Sequence, residues 1–174
     1  MLKVWIVGSN GQMGTALNEL IDTMEMEVLN TDKDELDITD TDEVLLYGEI
    51  NRPDVIINCA AITDTKICEE NPELAYRVNA IGARNLSIVA RKIGAKVVQL
   101  STDDVFDGMK KVPYTEFDDT NPITVYGRSK RAGENYVKEF THKHFVIRSN
   151  WVYGKGDSNF VTKLLKLADE KDTI

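Results

Sequence analysis

The sequence is short of residues that staple a chain or hold a metal. It has two cysteines, two histidines and four prolines in 174 residues. Cys59 and Cys68 are too few for a disulfide scaffold and do not form a metal-type pair, so both read as reduced packing residues. His142 and His144 come with no cysteine or carboxylate cluster, and no metal is expected. Positive charge is also scarce: 21 Lys and Arg against 29 Asp and Glu leave a net charge of −8. General nucleic-acid and membrane-surface binders carry the opposite balance, so neither polyanion is an expected partner. No apolar run approaches a membrane span. The opening MLKVWIV is too short for a signal peptide and runs straight into a glycine turn, so a cytoplasmic chain is expected.

What is present is an ordinary globular composition, 42% hydrophobic, at a length that suits one domain. Short β-rich apolar runs alternate with amphipathic stretches. LKVWIV, EVLNT, VIINCA, KVVQLS and HFVIRS read as five strands. Between them, helical spacing recurs from Gly11 to Met24, over DEVLLYGEI, from Asn71–Pro72 to a stop at Gly94, and around YGRSK; a last helix begins at Phe160. Strands separated by helices imply right-handed βαβ units. The expected fold is an α/β, Rossmann-like, doubly wound parallel sheet over 1–174, with strand order 3-2-1-4-5. The final LLKLADEKDTI is a helical pattern without a Gly or Pro stop, so further chain is expected beyond it.

GSNGQMG follows the first strand and opens the first helix. Gly8 permits the tight turn, Gly11 lets a pyrophosphate approach the backbone, and Gly14 allows close helix–strand packing. The helix N-terminus adds free N–H donors and a positive dipole end, so a nucleotide can bind despite the global charge. Asp32, just past the second strand, stands where a carboxylate grips the ribose hydroxyls of NAD and repels a 2′-phosphate. Lys33 beside it could accommodate one, and DKDELD also reads as a solvated charge run.

In VYGRSK, Tyr126 and Lys130 share one helix face. A phenol beside an ammonium is a proton donor whose phenolate is favoured, drawing it toward working pH. Ser101 and Thr102 end the fourth strand, the edge where open α/β sheets place their ligands. This set points to reduction of a ketone.

The ordered segments GSNGQMG, ELDIT, RPDVIINCAAIT, STDDVFDG, NPITVYGRSK and RSNWVYG resemble the extended short-chain dehydrogenases/reductases, and within them the dTDP-4-dehydrorhamnose reductase family, over all 174 residues. The resemblance implies NAD(P)H-dependent reduction of the C4 ketone of a dTDP-4-keto-6-deoxyhexose, with Thr102, Tyr126 and Lys130 catalytic. It implies that Gly11, Gln12 and Met13 cradle the pyrophosphate, Asp32 the ribose, and Asp37 and Ile38 the adenine. Ala61, Ile62, Thr63 and Leu100 would line the cofactor channel, while Thr102, Asp103 and Trp151 would meet the nucleotide sugar. Trp151 also reads as a core aromatic. Three departures fall on the substrate side: Asp104 where the family has tyrosine, Ile62 where it has an aromatic or histidine, and DTKICEE where it has AVDKAE. The substrate-binding region is expected to be missing, so these residues alone should bind NAD(P)H and turn over poorly. A homodimer is compatible with the sequence. The rival readings are another extended short-chain epimerase or dehydratase, and a non-catalytic cofactor-binding regulatory subunit.

Overall fold

The computed structural model describes residues 1–154 and 159–170. Five parallel strands form one sheet: β1 (Leu2–Val7), β2 (Met26–Thr31), β3 (Val55–Asn58), β4 (Lys96–Thr102) and β5 (His144–Ser149). Their order is β2-β1-β3-β4-β5, which corrects the expected 3-2-1-4-5. The reason is local. After β2 the chain spends its backbone groups on turns, with the Asp32 carbonyl accepting from the N–H groups of Glu35 and Leu36, and the Asp37 carbonyl from that of Asp40. No strand is laid beyond β2 among the described residues. The next strand, the apolar VIIN, pairs with β1 on its other side, Val4 opposite Val55. The direction of winding therefore reverses between β1 and β3, and that reversal opens a crevice at the strands' C-terminal ends.

The helices are α1 (Gln12–Leu20), α2 (Thr41–Asn51), α3 (Thr65–Glu70), α4 (Pro72–Tyr76), α5 (Ala83–Ile93), α6 (Val125–Phe140) and α7 (Phe160–Glu170). Right-handed crossovers set α1 against one face of the sheet and α2, α5 and α6 against the other, where α5 packs on both α2 and α6. The expected helix from Asn71 to Gly94 is present but passes through a π-helical turn at Arg77–Gly82. Helix α1 stops at Leu20, short of the expected Met24, because Asp22 draws the following N–H groups into a turn: its side chain accepts from Met24 at 2.8 Å.

The core lies between the sheet and the α2–α5–α6 layer. Trp5, Val7, Ile56 and Val97 point inward to Val44, Leu86, Val89 and Val137. The Trp5 indole N–H donates to Thr31 Oγ1 at 2.8 Å, so its polar edge is satisfied in the interior. Asp40 caps α2 by accepting from the N–H groups of Asp42 and Glu43, and Gly94 ends α5 in the left-handed conformation at φ 82°.

Urea unfolding should rank these contributions. Leu86→Ala, at a wholly buried position, is expected to cost about 2–5 kcal/mol, and Asp40→Ala about 1 kcal/mol. A Leu86→Ala loss no larger than that of the cap would contradict a core centred on α5.

Candidate active site

The crevice is built first by glycine. At Gly8, φ is 77°, and a Cβ there would lie 2.7 Å from the Ala60 nitrogen at the end of β3. A Cβ on Gly14 would strike the Gly8 carbonyl and the Ser9 backbone, so Gly14 packs under the turn and lines neither of the two cavities that meet there. Gly11 has more room, a Cβ there meeting only the Gly8 carbonyl at 3.4 Å, and it begins α1 without any side-chain cap. The first N–H groups of α1 are thus left for an anion from outside the protein.

Two cavities meet at this turn. One, about 510 Å³, runs past Gly8, Gly11, Asp32, Asp37, Ile38, Ala61 and Ile62. The other, about 450 Å³, is lined by Gly11, Gln12, Met13, Thr63, Leu100, Thr102, Asp103, Tyr126, Lys130 and Trp151. Gly11, Cys59 and Ala61 line both, which makes them one groove across the β1/β3 switch. The residues assigned from sequence to nucleotide, chemistry and sugar are brought together along it, Gly14 excepted. Asp32 is also structural, since its carboxylate accepts from the backbone N–H groups of Asn10 (3.0 Å) and Lys33 (2.8 Å). Trp151 is 65% exposed, at φ 47°, with its ring edge-on to Phe160. It is a wall of the groove and not a core aromatic.

Helix α6 carries the Tyr126 phenol and the Lys130 ammonium. Thr124 caps it, accepting from the Gly127 N–H at 2.9 Å, and the Val125 N–H donates to the Glu69 carboxylate at 2.7 Å. Any side chain at Gly127 would meet the Asp104 carbonyl, and any at Gly133 the Asn79 carbonyl, so α6 lies directly on backbone at two points. Tyr126 and Lys130 then face Thr102 across the second cavity. Burial pushes the Tyr126 phenol up; the Thr102 hydroxyl works against this, while the Asp104, Cys68 and Asp103 charges add to it. The expected downward pull from Lys130 is not among the causes of this shift, which burial of the phenol leads. Tyr126 is held as a phenol, the form a proton donor needs.

Lys130 is 5% exposed, and its ammonium makes neither a hydrogen bond nor a contact ion pair among the described residues. Burial pushes it down to about 8, against the Glu134 carboxylate and the Cys59 thiol, which favour the charged form. The Lys130 Nζ is not among the enclosed unpartnered polar atoms, so the ammonium reaches solvent through the cavity it lines, where a ligand could supply an acceptor.

Three residues escaped the sequence reading. Cys59 lines the groove, unlike Cys68, which is buried in a small core; burial pushes the Cys59 thiol up to about 11, so it is an inert wall. Asn79, in the π-helical turn, accepts from the Ile62 N–H (2.8 Å) and donates to the Ile62 carbonyl (3.0 Å) and Ser129 Oγ (2.9 Å). It ties the loop after β3 to α6 between Tyr126 and Lys130. Glu134 is the third. An Asn and a Glu on otherwise apolar helix faces were the available signals.

A doubly wound parallel sheet with a glycine turn at its switch point defines a Rossmann-like α/β class of protein, and Thr102, Tyr126 and Lys130 share one cavity of it. Within that class, the chain belongs to the family described as RmlD substrate binding domain, which matches residues 2–174. It is 41% identical over 172 residues to a dTDP-4-dehydrorhamnose reductase of Streptomyces griseus, covering 98% of this chain and 57% of the relative. It is 39% identical to the spore coat polysaccharide biosynthesis protein SpsK of Bacillus subtilis, covering 100% and 62%. Among solved structures, a Clostridium acetobutylicum dTDP-4-dehydrorhamnose reductase superposes with a TM-score of 0.96 at 44% identity, covering 98% of this chain and 61% of that one. The Bacillus anthracis enzyme, solved in complex with NADP, gives 0.96 at 43%, covering 98% and 62%. The chain spans about 60% of the length of these relatives.

Removing the Lys130 charge tests this electrostatic picture without any assay of activity. With its folded value near 8 and an ordinary value of 10.5, Lys130 sheds its proton earlier in the folded state. Its burial therefore opposes folding at neutral pH, and the opposition fades as pH rises from about 8 toward 10.5. Lys130→Met should be more stable than the parent at neutral pH, by up to about 3 kcal/mol, with the gap closing in alkali. A loss of stability at neutral pH would show that the ammonium already has its partner.

Proposed function

We propose that this chain forms the cofactor-binding and catalytic part of an NAD(P)H-dependent reductase acting on the C4 ketone of a dTDP-4-keto-6-deoxyhexose, dTDP-4-dehydrorhamnose above all. The observation that carries the reading is the unpartnered, buried Lys130 ammonium facing the same cavity as Thr102 and Tyr126. The names of the relatives support the substrate, and the NADP complex of the Bacillus anthracis enzyme supports the cofactor. The enzyme would work in the cytoplasm.

The residues fit a dinucleotide. Uncapped N–H groups at the start of α1, with Gly11, Gln12 and Met13, suit its pyrophosphate. Asp32, Asp37 and Ile38 suit the adenosine end, and Lys130 suits the hydroxyls of the second ribose. When bound, the cofactor supplies a hydride to the carbonyl carbon. Thr102 would donate a hydrogen bond to the carbonyl oxygen, and Tyr126 would give that oxygen its phenolic proton, leaving a phenolate. The Lys130 charge would stabilise that phenolate until solvent returns the proton.

A departure at the cavity wall and the name of one relative make a second substrate worth assaying. Asp104, a carboxylate pushed up by burial and by Asp103, lines the cavity beside Tyr126. A second sugar epimer is therefore a fair assay partner, and a Streptomyces niveus relative at 37% identity is named dTDP-4-keto-6-deoxy-D-glucose reductase.

In the protein carrying this chain, Tyr126→Phe should lower reduction of dTDP-4-dehydrorhamnose by about 10²–10⁴-fold while NADPH fluorescence titration is unchanged. Wild-type turnover should also fall as pH rises past about 8, where Lys130 loses its proton. Near-normal turnover by Tyr126→Phe would remove Tyr126 as the acid, and no NADPH binding by the wild type would end the whole reading.

A further inference from the structure

Glu134 lies one helical turn beyond Lys130 on α6 and is wholly buried, 0% exposed. Its carboxylate accepts from Ser101 Oγ at 2.7 Å, from Arg148 Nε and Nη2 at 2.8 and 2.7 Å, and from Arg131 Nη1 at 3.2 Å. Lys138 Nζ lies 3.8 Å away. Ser101 and Arg148 stand opposite each other in the β4–β5 register, and the next pair along is Thr102 with Ser149. Glu134 therefore grips both strands one residue before the point where Thr102 enters the cavity. Burying a carboxylate so completely is tolerated because it is fully paired. That pairing explains the packing of α6. The same carboxylate also brings a negative charge within one helical turn of Lys130.

We propose that Glu134 is a positioning residue: it pins α6 to β4 and β5 in the register that sets Tyr126 against Thr102, and its negative charge keeps the buried Lys130 side chain protonated for its ligand. This rests on the reading of Lys130 as a ligand-facing cation. It does not require that the ligand be a nicotinamide cofactor.

The charged surroundings of Lys130 allow it to be watched alone. Facing it are Tyr126 on its own helix, Cys59 after β3, and Asp103 and Asp104 after β4. Beyond Glu134 stand Arg131, Lys138 and Arg148. Burial pushes the Cys59 thiol up to about 11 and raises the Tyr126 phenol as well. Burial also works to raise Glu134, but the hydrogen bonds from Arg148 and Ser101 prevail and hold it below its ordinary value. Within this cluster the group that changes charge just above neutral pH is Lys130, at about 8.

The test is the titration of Lys130 itself, followed through its ¹³Cε chemical shift in protein labelled with ¹³C-lysine, the resonance being assigned by its absence in Lys130→Met. Glu134→Gln keeps the shape and loses the charge. Its Lys130 midpoint should fall by about one pH unit, and Glu134→Asp should restore most of that loss. An unmoved midpoint in a folded Glu134→Gln protein, judged by near-ultraviolet circular dichroism, would make Glu134 a packing pin alone and overturn the proposal. Should Glu134→Gln not fold because Arg148 is left unpaired, Glu134→Gln is made in an Arg148→Met background and compared with Arg148→Met alone. The Lys130 midpoint should again fall, and two equal midpoints overturn the proposal. Because the readout is a lysine resonance, absence of reductase activity would leave this result standing.

Discussion

The groove depends on how closely α6 approaches the sheet. Tyr126 and Lys130 are useful only if they reach the edge where β4 ends, and α6 reaches it because Gly127 and Gly133 let it rest on the carbonyls of Asp104 and Asn79. A methyl group at either position would push the helix away. Glu134 then fixes its height through Ser101 and Arg148. Two steric contacts and the buried Glu134 ion pair thus place the Tyr126 phenol and the Lys130 ammonium, and the side chains of the cavity inherit that placement.

The same closeness carries a cost in stability. A lysine in the interior without an acceptor opposes folding, and nothing in the packing requires it. Such a residue is understandable where a ligand completes it, since binding then restores what folding gave up. The glycine turn follows the same logic. Helix α1 begins without a cap, which leaves its N-terminal donors unsatisfied until an anion arrives. Unmet donors where the two cavities join and a cation in one of them give the groove two points of attachment for one elongated anionic ligand.

Much of this was legible in the sequence, and the reasons for the exceptions are physical. The five strands, the glycine turn and the Tyr126–Lys130 pair follow from local periodicity and spacing, which residues carry themselves. Strand order does not. Whether β3 pairs with β2 or β1 depends on where the Asp-rich segment after Thr31 spends its hydrogen bonds, and pattern alone left the wrong neighbour. The direction of the Tyr126 shift was misjudged because the sequence shows a nearby ammonium but not the burial of the phenol. Asn79 and Glu134 were passed over because a polar residue on a helix reads as solvated until its partners, distant in sequence, are seen around it.

The central claim is that the groove along the β1/β3 switch binds one dinucleotide with its reactive end at Tyr126. A crystal structure of this chain with NADPH tests it most directly. The account predicts the pyrophosphate at the start of α1 beside Gly11 and Gln12, and a ribose hydroxyl within about 3 Å of Lys130 Nζ. A nucleotide bound elsewhere, or bound in the groove with Lys130 still unpartnered, would contradict it.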